Sequence, residues 1–231
     1  MKKVLFAIVA LALLTSCKFD VTRSVTVDSN VEESRQLKNF ERIAMLGSMD
    51  VKYAQADTFS VKVNGPSDII RKVETIVEGN VLKIKMKDSN RIIHFGDVDS
   101  GNVTVYVTSP DFLSVSLMGS GDFMSVLPLD TDTLTIDLKG SGDIYFKNVI
   151  CDRIDASVIG SGDVTVDKVK TQQARLDVIG SGDIDMGFDN SGSVDAQVKG
   201  SGDITMKGAV RQMNKLVRGT GDIDTDDLQV K

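Results

Sequence analysis

Six aspartates recur at nearly even intervals in the second half of the chain. Each ends a Gly-Ser-Gly-Asp sequence or, in the last case, Gly-Thr-Gly-Asp, and successive motifs begin 19 to 21 residues apart. In a stack of repeats these carboxylates would form one column about 4.8 Å apart, where neighbours repel by about 1 kcal/mol even in water. The motif glycines and aspartates are Gly119, Gly121, Asp122, Gly140, Gly142, Asp143, Gly160, Gly162, Asp163, Gly180, Gly182, Asp183, Gly200, Gly202, Asp203, Gly219, Gly221 and Asp222.

Two kinds of group could offset the repulsion within this aspartate column. Backbone N–H groups at the same turn could donate hydrogen bonds to the carboxylates. Alternatively the column could bind Ca²⁺, which favours oxygen ligands. All twenty acidic residues from Asp111 onward are aspartate, and short carboxylates suit both tight turns and metal-binding loops. We expect a structural role and no cofactor, and we keep a calcium site as the alternative.

A second chemical signal lies at the amino terminus. Two lysines precede an apolar run of eleven residues, 4–14, which is too short to span a bilayer and is typical of a secretory signal peptide. The sequence Leu-Thr-Ser-Cys ending at Cys17 resembles a bacterial lipobox, in which a peptidase cuts before the cysteine and the thiol is acylated. We predict that residues 1–16 are removed and that Cys17 anchors the protein in the cell envelope, in the outer membrane, on a face that the sequence does not specify.

The second of the two cysteines lies in no catalytic pattern. Cys151 is the only other cysteine, so an acylated Cys17 leaves it without a disulfide partner. It lies between an apolar and an acidic residue, and no nucleophile–base pair is near it in sequence. We therefore expect a small buried side chain rather than a reactive thiol.

The only histidine, His94, lies in the longest irregular stretch, residues 90–101. A lone histidine in a loop does not indicate catalysis, because an acid–base site needs partners in defined geometry. The sequence therefore predicts no catalytic residue and no enzyme. The stretch is still the best candidate for a local binding feature, since it also contains Arg91, Asp97 and Asp99.

Charge and composition restrict the partners. Without Lys2 and Lys3 the chain has 25 basic and 33 acidic side chains, a net charge of −8, which argues against nucleic acid. It has no tryptophan, so a large aromatic ligand pocket is not indicated. We expect a flexible tether over the polar residues 17–36 and a folded body over 37–231, with an irregular part, 37–110, before the regular repeats of 111–231.

The residues around each motif predict β-strands. Counting back from the first glycine, positions −2, −4 and −6 are apolar in seventeen of eighteen cases, and the exception is Lys215 in the last repeat. Positions +1 and +3 after each aspartate are mostly apolar too. This alternation is typical of strands with one buried face. The sequence thus predicts an all-β fold, a single-stranded β-helix or β-solenoid with rungs of about 20 residues.

Within each rung we expect a strand, a Gly-Ser-Gly-Asp corner, a second strand and a short turn. The glycines would supply positive φ or allow a close approach of the backbone, and Ser and Asp would bond their own local backbone. Sequences such as Asp167-Lys168 and residues 189–192 fit the short turns.

The first half of the body reads as a worn version of the same pattern. The sequence Gly-Ser-Met-Asp at 47–50 has apolar residues at the equivalent flanking positions, so we interpret it as a seventh repeat. Glu-Gly-Asn at 78–80 lies between two strand-like runs and predicts a β-hairpin. Residues 67–73 are compatible with one helical turn. We expect this half to add sheet to one end of the solenoid and to cap it.

These features together resemble a known family. Phe-Glu-Arg-Ile at 40–43, the corner at 47–50, the hairpin at Gly79-Asn80 and the repeated Gly-Ser-Gly-Asp followed by Ile or Val are similar to the putative auto-transporter adhesin, head GIN domain family. The resemblance covers about residues 37–228. It implies an exported or lipid-anchored envelope protein with a β-helical body. It implies no catalytic residue.

Three functions remain open from the sequence. The first is a non-enzymatic, adhesin-like surface protein that binds an extracellular glycan or protein. The second is a structural envelope component without a ligand of its own. The third is a carbohydrate-active β-helix, although the evenly spread acids and short loops give no obvious cleft for it. The sequence does not indicate the oligomeric state.

Overall fold

A computed structural model describes residues 30–87 and 103–231. The described residues are mostly β-strand, with one short helix, and they form a solenoid, as predicted. In the described part of the chain no helix is long and apolar enough to cross a bilayer.

Twenty strands and one helix make up the regular structure of residues 30–87 and 103–231. The strands are β1 Asn30–Arg35, β2 Arg42–Gly47, β3 Asp50–Gln55, β4 Ser60–Pro66, β5 Val73–Glu78, β6 Val81–Met86, β7 Thr104–Ser109, β8 Ser114–Gly119, β9 Phe123–Ser125, β10 Leu129–Asp130, β11 Thr133–Gly140, β12 Ile144–Phe146, β13 Val149–Ile150, β14 Arg153–Gly160, β15 Val164–Lys170, β16 Gln173–Gly180, β17 Ile184–Gly200, β18 Ile204–Gly219, β19 Ile223–Asp224 and β20 Leu228–Val230. The helix is α1, Ser67–Ile70, between β4 and β5.

The first two regular rungs each have three strands, one more than predicted, whereas between β14 and β18 these segments merge into longer strands such as β15 and β17. A long strand such as β11 ends at the corner glycine, a short strand such as β12 follows the corner aspartate, and a two-residue segment such as β13 completes the rung. Each segment pairs in parallel with its equivalent in the next rung, with Gly140 opposite Gly160 and Gly160 opposite Gly180.

The two sequences expected to be short turns lie inside strands. Asp167-Lys168 belongs to β15 and residues 189–192 belong to β17. Both coincide with a shift in strand register, between Val166 and Val169 and between Phe188 and Ser191. The chain thus changes direction here through irregular pairing rather than through a separate turn.

The inward positions form one apolar core. In the rungs from Leu134 to Val198 every residue at −2, −4 and −6 is buried, and so are positions +1 and +3 from Phe123 to Met206. In the first regular rung the expected core residue Leu113 is only half-buried, and the adjacent Phe112 is fully buried instead.

The last rung departs from the burial pattern. Met213 is half-buried, and Lys215 and Val217 are exposed, although they occupy the same inward positions. The long part of β18 pairs only with β17 among the described strands, so no further rung lies over these three side chains. The core therefore ends open at the carboxyl-terminal rung.

The order of rungs in space differs from their order along the chain. The worn repeat at 47–50 stacks directly on the first regular rung, with Gly47 opposite Gly119, as its assignment as a seventh repeat requires. On its other side, β6 pairs in parallel with β2 and β7 pairs in parallel with β3. Strands β6 and β7 therefore form a further rung that stacks below the rung of β2 and β3, although β2 and β3 come earlier in the sequence.

Antiparallel strands cover the amino-terminal end. β4 pairs with β7, and β5 forms the expected hairpin with β6. β1 pairs with β4, so Asn30–Arg35, which we expected to lie in the tether, is part of the sheet. Reversing strand direction ends the parallel stack, because the corner of one rung has no equivalent in an antiparallel neighbour.

Candidate functional site

The Gly-Ser-Gly-Asp corners form the most regular feature of the surface. The first glycine of each motif has positive φ, for example 136° at Gly140 and 133° at Gly160. Its carbonyl accepts two hydrogen bonds from the next corner, as when Gly119 O receives the N–H groups of Ser141 at 2.9 Å and Gly142 at 3.3 Å. The positive φ aims this carbonyl along the stack.

Of the two reasons expected for the corner glycines, close backbone approach and not positive φ applies to the second glycine. Gly142 and Gly162 do not have left-handed φ. A Cβ atom on Gly142 would lie 2.0 Å from the carbonyl oxygen of Gly121 in the rung below, and one on Gly162 would lie 2.0 Å from Gly142 O. Close backbone approach, rather than backbone conformation, therefore excludes a side chain at this position.

The worn repeat supports this explanation. At the second-glycine position it has Met49, whose buried side chain belongs to the core. Around Gly47 itself, no described atom lies within 4 Å of an added Cβ, whereas Gly119 in the next rung would meet Gly47 O at 2.1 Å. The carbonyl oxygen of the corner underneath is therefore what excludes a side chain from the glycine above it.

The aspartates join successive rungs. The N–H of Asp163 donates to Oδ1 of Asp143 at 3.1 Å, and the N–H of Asp183 donates to Oδ1 of Asp163 at 2.9 Å. In the other direction, the N–H of Ile144 donates to the carbonyl of Asp163 at 2.9 Å. The ladder runs from Asp50 through all six motif aspartates to Asp222. We expected the carboxylates to bond their own local backbone, but they accept hydrogen bonds from the neighbouring rung instead.

This ladder supplies the backbone donors that the aspartate column requires. Each carboxylate from Asp50 to Asp203 accepts a backbone N–H from the following rung. In residues 30–87 and 103–231 no group of three or more His, Cys, Asp or Glu side chains is arranged to hold a metal ion. A calcium site at the column stays a prediction of the sequence.

Cys151 lies in a buried polar column on another side of the rung. It is 7% exposed and forms no disulfide, and burial raises the pKa of its thiol. In the next rungs the equivalent positions are Thr171 and Ser191, both buried. Thr171 Oγ1 donates to the carbonyl of Asp152 or Gln173, each at 3.0 Å, and the backbone N–H of Thr171 donates to Ser191 Oγ at 3.2 Å. A protonated, enclosed thiol in such a column is a packing residue.

Two predicted features lie outside the described residues. These are the lipidation site Cys17 and the loop candidates Arg91, His94, Asp97 and Asp99. The described sites therefore come from the solenoid alone.

The outer surface of the long strands is a further candidate site, which the sequence pattern does not predict. Their outward side chains form columns across the rungs, and we call this surface the long-strand face. One column runs from Thr135 of β11 to Asp155, Arg175, Asp195 and Asn214 in successive rungs. The adjacent column consists of Asp137, Ser157, Asp177, Gln197 and Leu216.

Arginines on the long-strand face hold neighbouring carboxylates in place. Arg153 donates through Nε and Nη2 to the two oxygens of Asp155, at 2.7 and 2.8 Å. Arg175 Nε donates to Asp177 Oδ2 at 2.7 Å. These hydrogen bonds raise the pKa of both guanidinium groups, so the arginines stay charged. The pairs fix the orientation of these polar groups, and Arg153 Nη1 also donates to Gln173 Oε1 at 3.4 Å.

Two shallow cavities adjoin along this face. One, of about 250 Å³, is lined by residues that include Arg175, Asp177, Asp195 and Asn214. The other, of about 240 Å³, is lined by Thr135, Asp137, Arg153, Asp155, Ala156, Ser157, Arg175 and Asp177. Because Arg175 and Asp177 line both cavities, the two form one polar groove that crosses several rungs.

Sequence comparison identifies the family. The model described as "Putative auto-transporter adhesin, head GIN domain" matches residues 39–167 and 159–231. The chain belongs to this family. Residues 1–17 match the prokaryotic membrane lipoprotein lipid attachment site, so this head GIN protein is a lipid-anchored protein of the cell envelope. No curated protein matches the chain.

Solved structures share the fold of this head GIN protein. A putative adhesin from Bacteroides fragilis superposes with a TM-score of 0.68 at 23% identity, covering 85% of this chain and 96% of that one. A putative lipid binding protein from Parabacteroides distasonis gives 0.66 at 18% identity, with 87% and 97% covered. A putative adhesin from Parabacteroides merdae gives 0.65 at 20% identity, with 87% and 96% covered. At these identities the likeness concerns the fold.

Proposed function

We propose that this lipoprotein is a non-enzymatic binding protein displayed on the outer membrane, and that its long-strand face binds an extended glycan. The observation that carries the proposal is the continuous polar groove shared by Arg175 and Asp177. Rungs about 4.8 Å apart repeat similar polar groups along it, which suits a polymer better than a compact ligand.

The chemistry of the groove favours a glycan over a protein. Arginine, aspartate, asparagine and glutamine present several donors and acceptors on planar groups, which can bond neighbouring hydroxyls in pairs. Protein interfaces, by contrast, are usually anchored by Trp, Tyr and Arg side chains in fully desolvated pockets, whereas both arginines here lie in a shallow, open groove. The outward side chains of β11, β14 and β16 include no aromatic residue.

Binding without catalysis is supported by how the acids are engaged. Glycoside hydrolysis needs one free carboxylic acid and one free carboxylate on either side of the bond. Of the four aspartates that line the groove, Asp155 and Asp177 are held by Arg153 and Arg175, and Asp195 accepts a hydrogen bond from Asn214. The groove is also shallow, and so it would not exclude water from a reacting bond.

A glycan array with the purified, unacylated protein tests the ligand class. We expect binding to a set of extended polar glycans that falls at least tenfold in the double variant Arg153→Ala/Arg175→Ala. The matched control is Lys168→Ala/Asp189→Ala, which removes an exposed ion pair of 3.0 Å outside the long-strand face. The control should bind like the parent.

Three results would contradict the proposal. Equal binding by both double variants would place the ligand elsewhere. No binding to any glycan, with capture of an extracellular protein instead, would overturn the ligand class. Release of new reducing ends from a bound glycan would show a carbohydrate-active enzyme.

A further inference from the structure

Five neighbouring strands at the amino-terminal end share one row of outward side chains. Strand register places Lys62 of β4 beside Tyr106 of β7, and Tyr106 beside Lys52 of β3. Met124 of β9 follows Lys52, and Tyr145 of β12 follows Met124. Both neighbours of each residue along its own strand are buried, so these side chains point outward. We call these five residues the basic-aromatic row.

The row combines apolar bodies with positive charges. Tyr106 and Met124 are each 41% exposed. The Lys52 ammonium lies 5.9 Å from the centroid of the Tyr106 ring, within the range of a cation–π contact. Lys62 bonds Glu32 at 2.8 Å, the Tyr145 hydroxyl donates to Asp167 Oδ2, and the exposed Asp122 flanks the row at the corner. The row itself contains no acid.

The character of this row changes along the solenoid. Beyond Tyr145 the same outward position is occupied by Thr165, Asp185, Thr205 and Asp224 in successive rungs. One end of this surface is therefore aromatic and basic, and the other is polar and acidic.

The lipid attachment site is joined to the body beside this row. β1 begins at Asn30, thirteen residues after Cys17, and even a stretched chain of that length spans only about 45 Å. β1 pairs with β4, the strand that carries Lys62. The anchor therefore confines the body near the bilayer and connects to it at the basic-aromatic end.

We propose that the basic-aromatic row lies against the headgroup surface of the bilayer that holds the Cys17 lipid. Tyrosine places an apolar ring and a polar hydroxyl at such an interface, and lysine keeps its ammonium near lipid phosphates while its stem covers apolar surface. Aspartates at the far end of the row would be repelled by an anionic surface. The long-strand face lies on the other side of the corner, so this contact leaves it open. The inference rests on the lipid anchor and not on the glycan.

A single tryptophan tests the orientation, because the chain contains none. The acylated protein is placed in vesicles of phosphatidylethanolamine and phosphatidylglycerol that include a lipid with brominated acyl chains. Tyr106→Trp reports on the row. Ile179→Trp is the matched control, since Ile179 is 42% exposed on a long strand across the corner. We expect quenching of Tyr106→Trp to exceed that of Ile179→Trp at least twofold, with emission shifted to shorter wavelength.

Equal quenching of the two variants, or stronger quenching of Ile179→Trp, would overturn the proposal. If Tyr106→Trp alters the melting curve, Met124→Trp probes the same row instead. Arg153→Ala/Arg175→Ala in the Tyr106→Trp background should leave quenching unchanged. A failure of this orientation is thereby distinguished from a failure of glycan binding.

Discussion

The backbone N–H of Asp143 donates to Oδ1 of Asp122 at 3.0 Å, although 21 residues separate the two aspartates. The bond connects one rung to the next, and the same geometry recurs along the column. A side chain that looked like a local turn-former thus acts between rungs. Its role explains why aspartate recurs at every corner, because each corner needs an acceptor at this position for the rung that follows.

Two substitutions of Asp163 distinguish the role of its hydrogen-bond acceptor from the role of its negative charge. Asp163→Asn keeps a side-chain oxygen for the N–H of Asp183 and removes one charge from the column, whereas Asp163→Ala removes both. We expect the alanine variant to lose about 1 kcal/mol of unfolding free energy relative to the asparagine variant. Urea denaturation measures the difference. An asparagine variant as unstable as the alanine variant would show that the charge, not the hydrogen bond, matters.

The same ladder bears on calcium. Because each Oδ1 from Asp50 to Asp203 already accepts a backbone N–H, we expect the melting temperature to be indifferent to millimolar Ca²⁺ and to chelator. Differential scanning calorimetry tests this. A saturable rise with Ca²⁺ that is smaller in Asp163→Asn would instead support a metal site at the column.

The first glycines of two corner motifs allow the cost of backbone strain to be measured separately from the cost of a steric clash with the neighbouring rung. Gly140 has φ of 136° and a Cβ there would meet Gly119 O at 2.1 Å, while Gly47 has φ of 116° and nothing within 4 Å. We expect Gly47→Ala to cost about 1–2 kcal/mol for backbone strain alone. Gly140→Ala should cost several kcal/mol more. Similar melting temperatures for the two variants would contradict the steric explanation.

Tyr53 gives the fold a dependence on alkaline pH. Its hydroxyl lies 3.0 Å from Ser109 Oγ, and burial raises its pKa to about 12 from the ordinary value of 10.0. The unfolded chain thus releases this proton first, so the stability contributed by the neutral phenol is complete below pH about 10 and is lost as pH rises towards about 12. Urea unfolding at several pH values should show the gap between the parent and Tyr53→Phe shrinking over this window. A constant gap would contradict it.

Lys215 protects the open end of the solenoid. It occupies an inward position next to Ala196 in the rung below, and its ammonium lies 3.4 Å from the carbonyl of Ile223. A charge at an inward edge position disfavours pairing between exposed strands. We expect Lys215→Val to associate through its ends in sedimentation velocity at high concentration. The control Lys199→Val changes an outward lysine and should stay as dispersed as the parent.

Much of the solenoid follows from the sequence, because burial imposes a strict period of two on each strand. That period correctly placed Ile136, Leu138 and Ile144 in the core and the hairpin at Gly79-Asn80. It failed where no rung covers a side chain, as at Val217, and where Phe112 replaces Leu113 in the core. The alternation of apolar residues indicates the buried face of a strand only where a neighbouring rung covers that face.

Other features leave no such signal. The stacking of β6 and β7 beneath β2 and β3 depends on pairing between distant segments, which local pattern does not encode. The long-strand face was not predicted because outward positions are free to vary, so Asp155 and Arg175 look like ordinary surface charges until the strand register places them side by side. The sequence does not tell whether the second glycine serves positive φ or close approach, because the answer depends on the carbonyl of the rung underneath.

The most direct test of surface display is labelling of intact cells with a membrane-impermeant, amine-reactive biotin reagent. The exposed Lys147 and Lys168 provide targets on the solenoid. We expect the parent to be labelled without permeabilisation and to fractionate with the outer membrane, and Cys17→Ala to be lost from both. Labelling of the parent only after the outer membrane is permeabilised would contradict display on the cell surface, and with it the proposed binding of extracellular glycans.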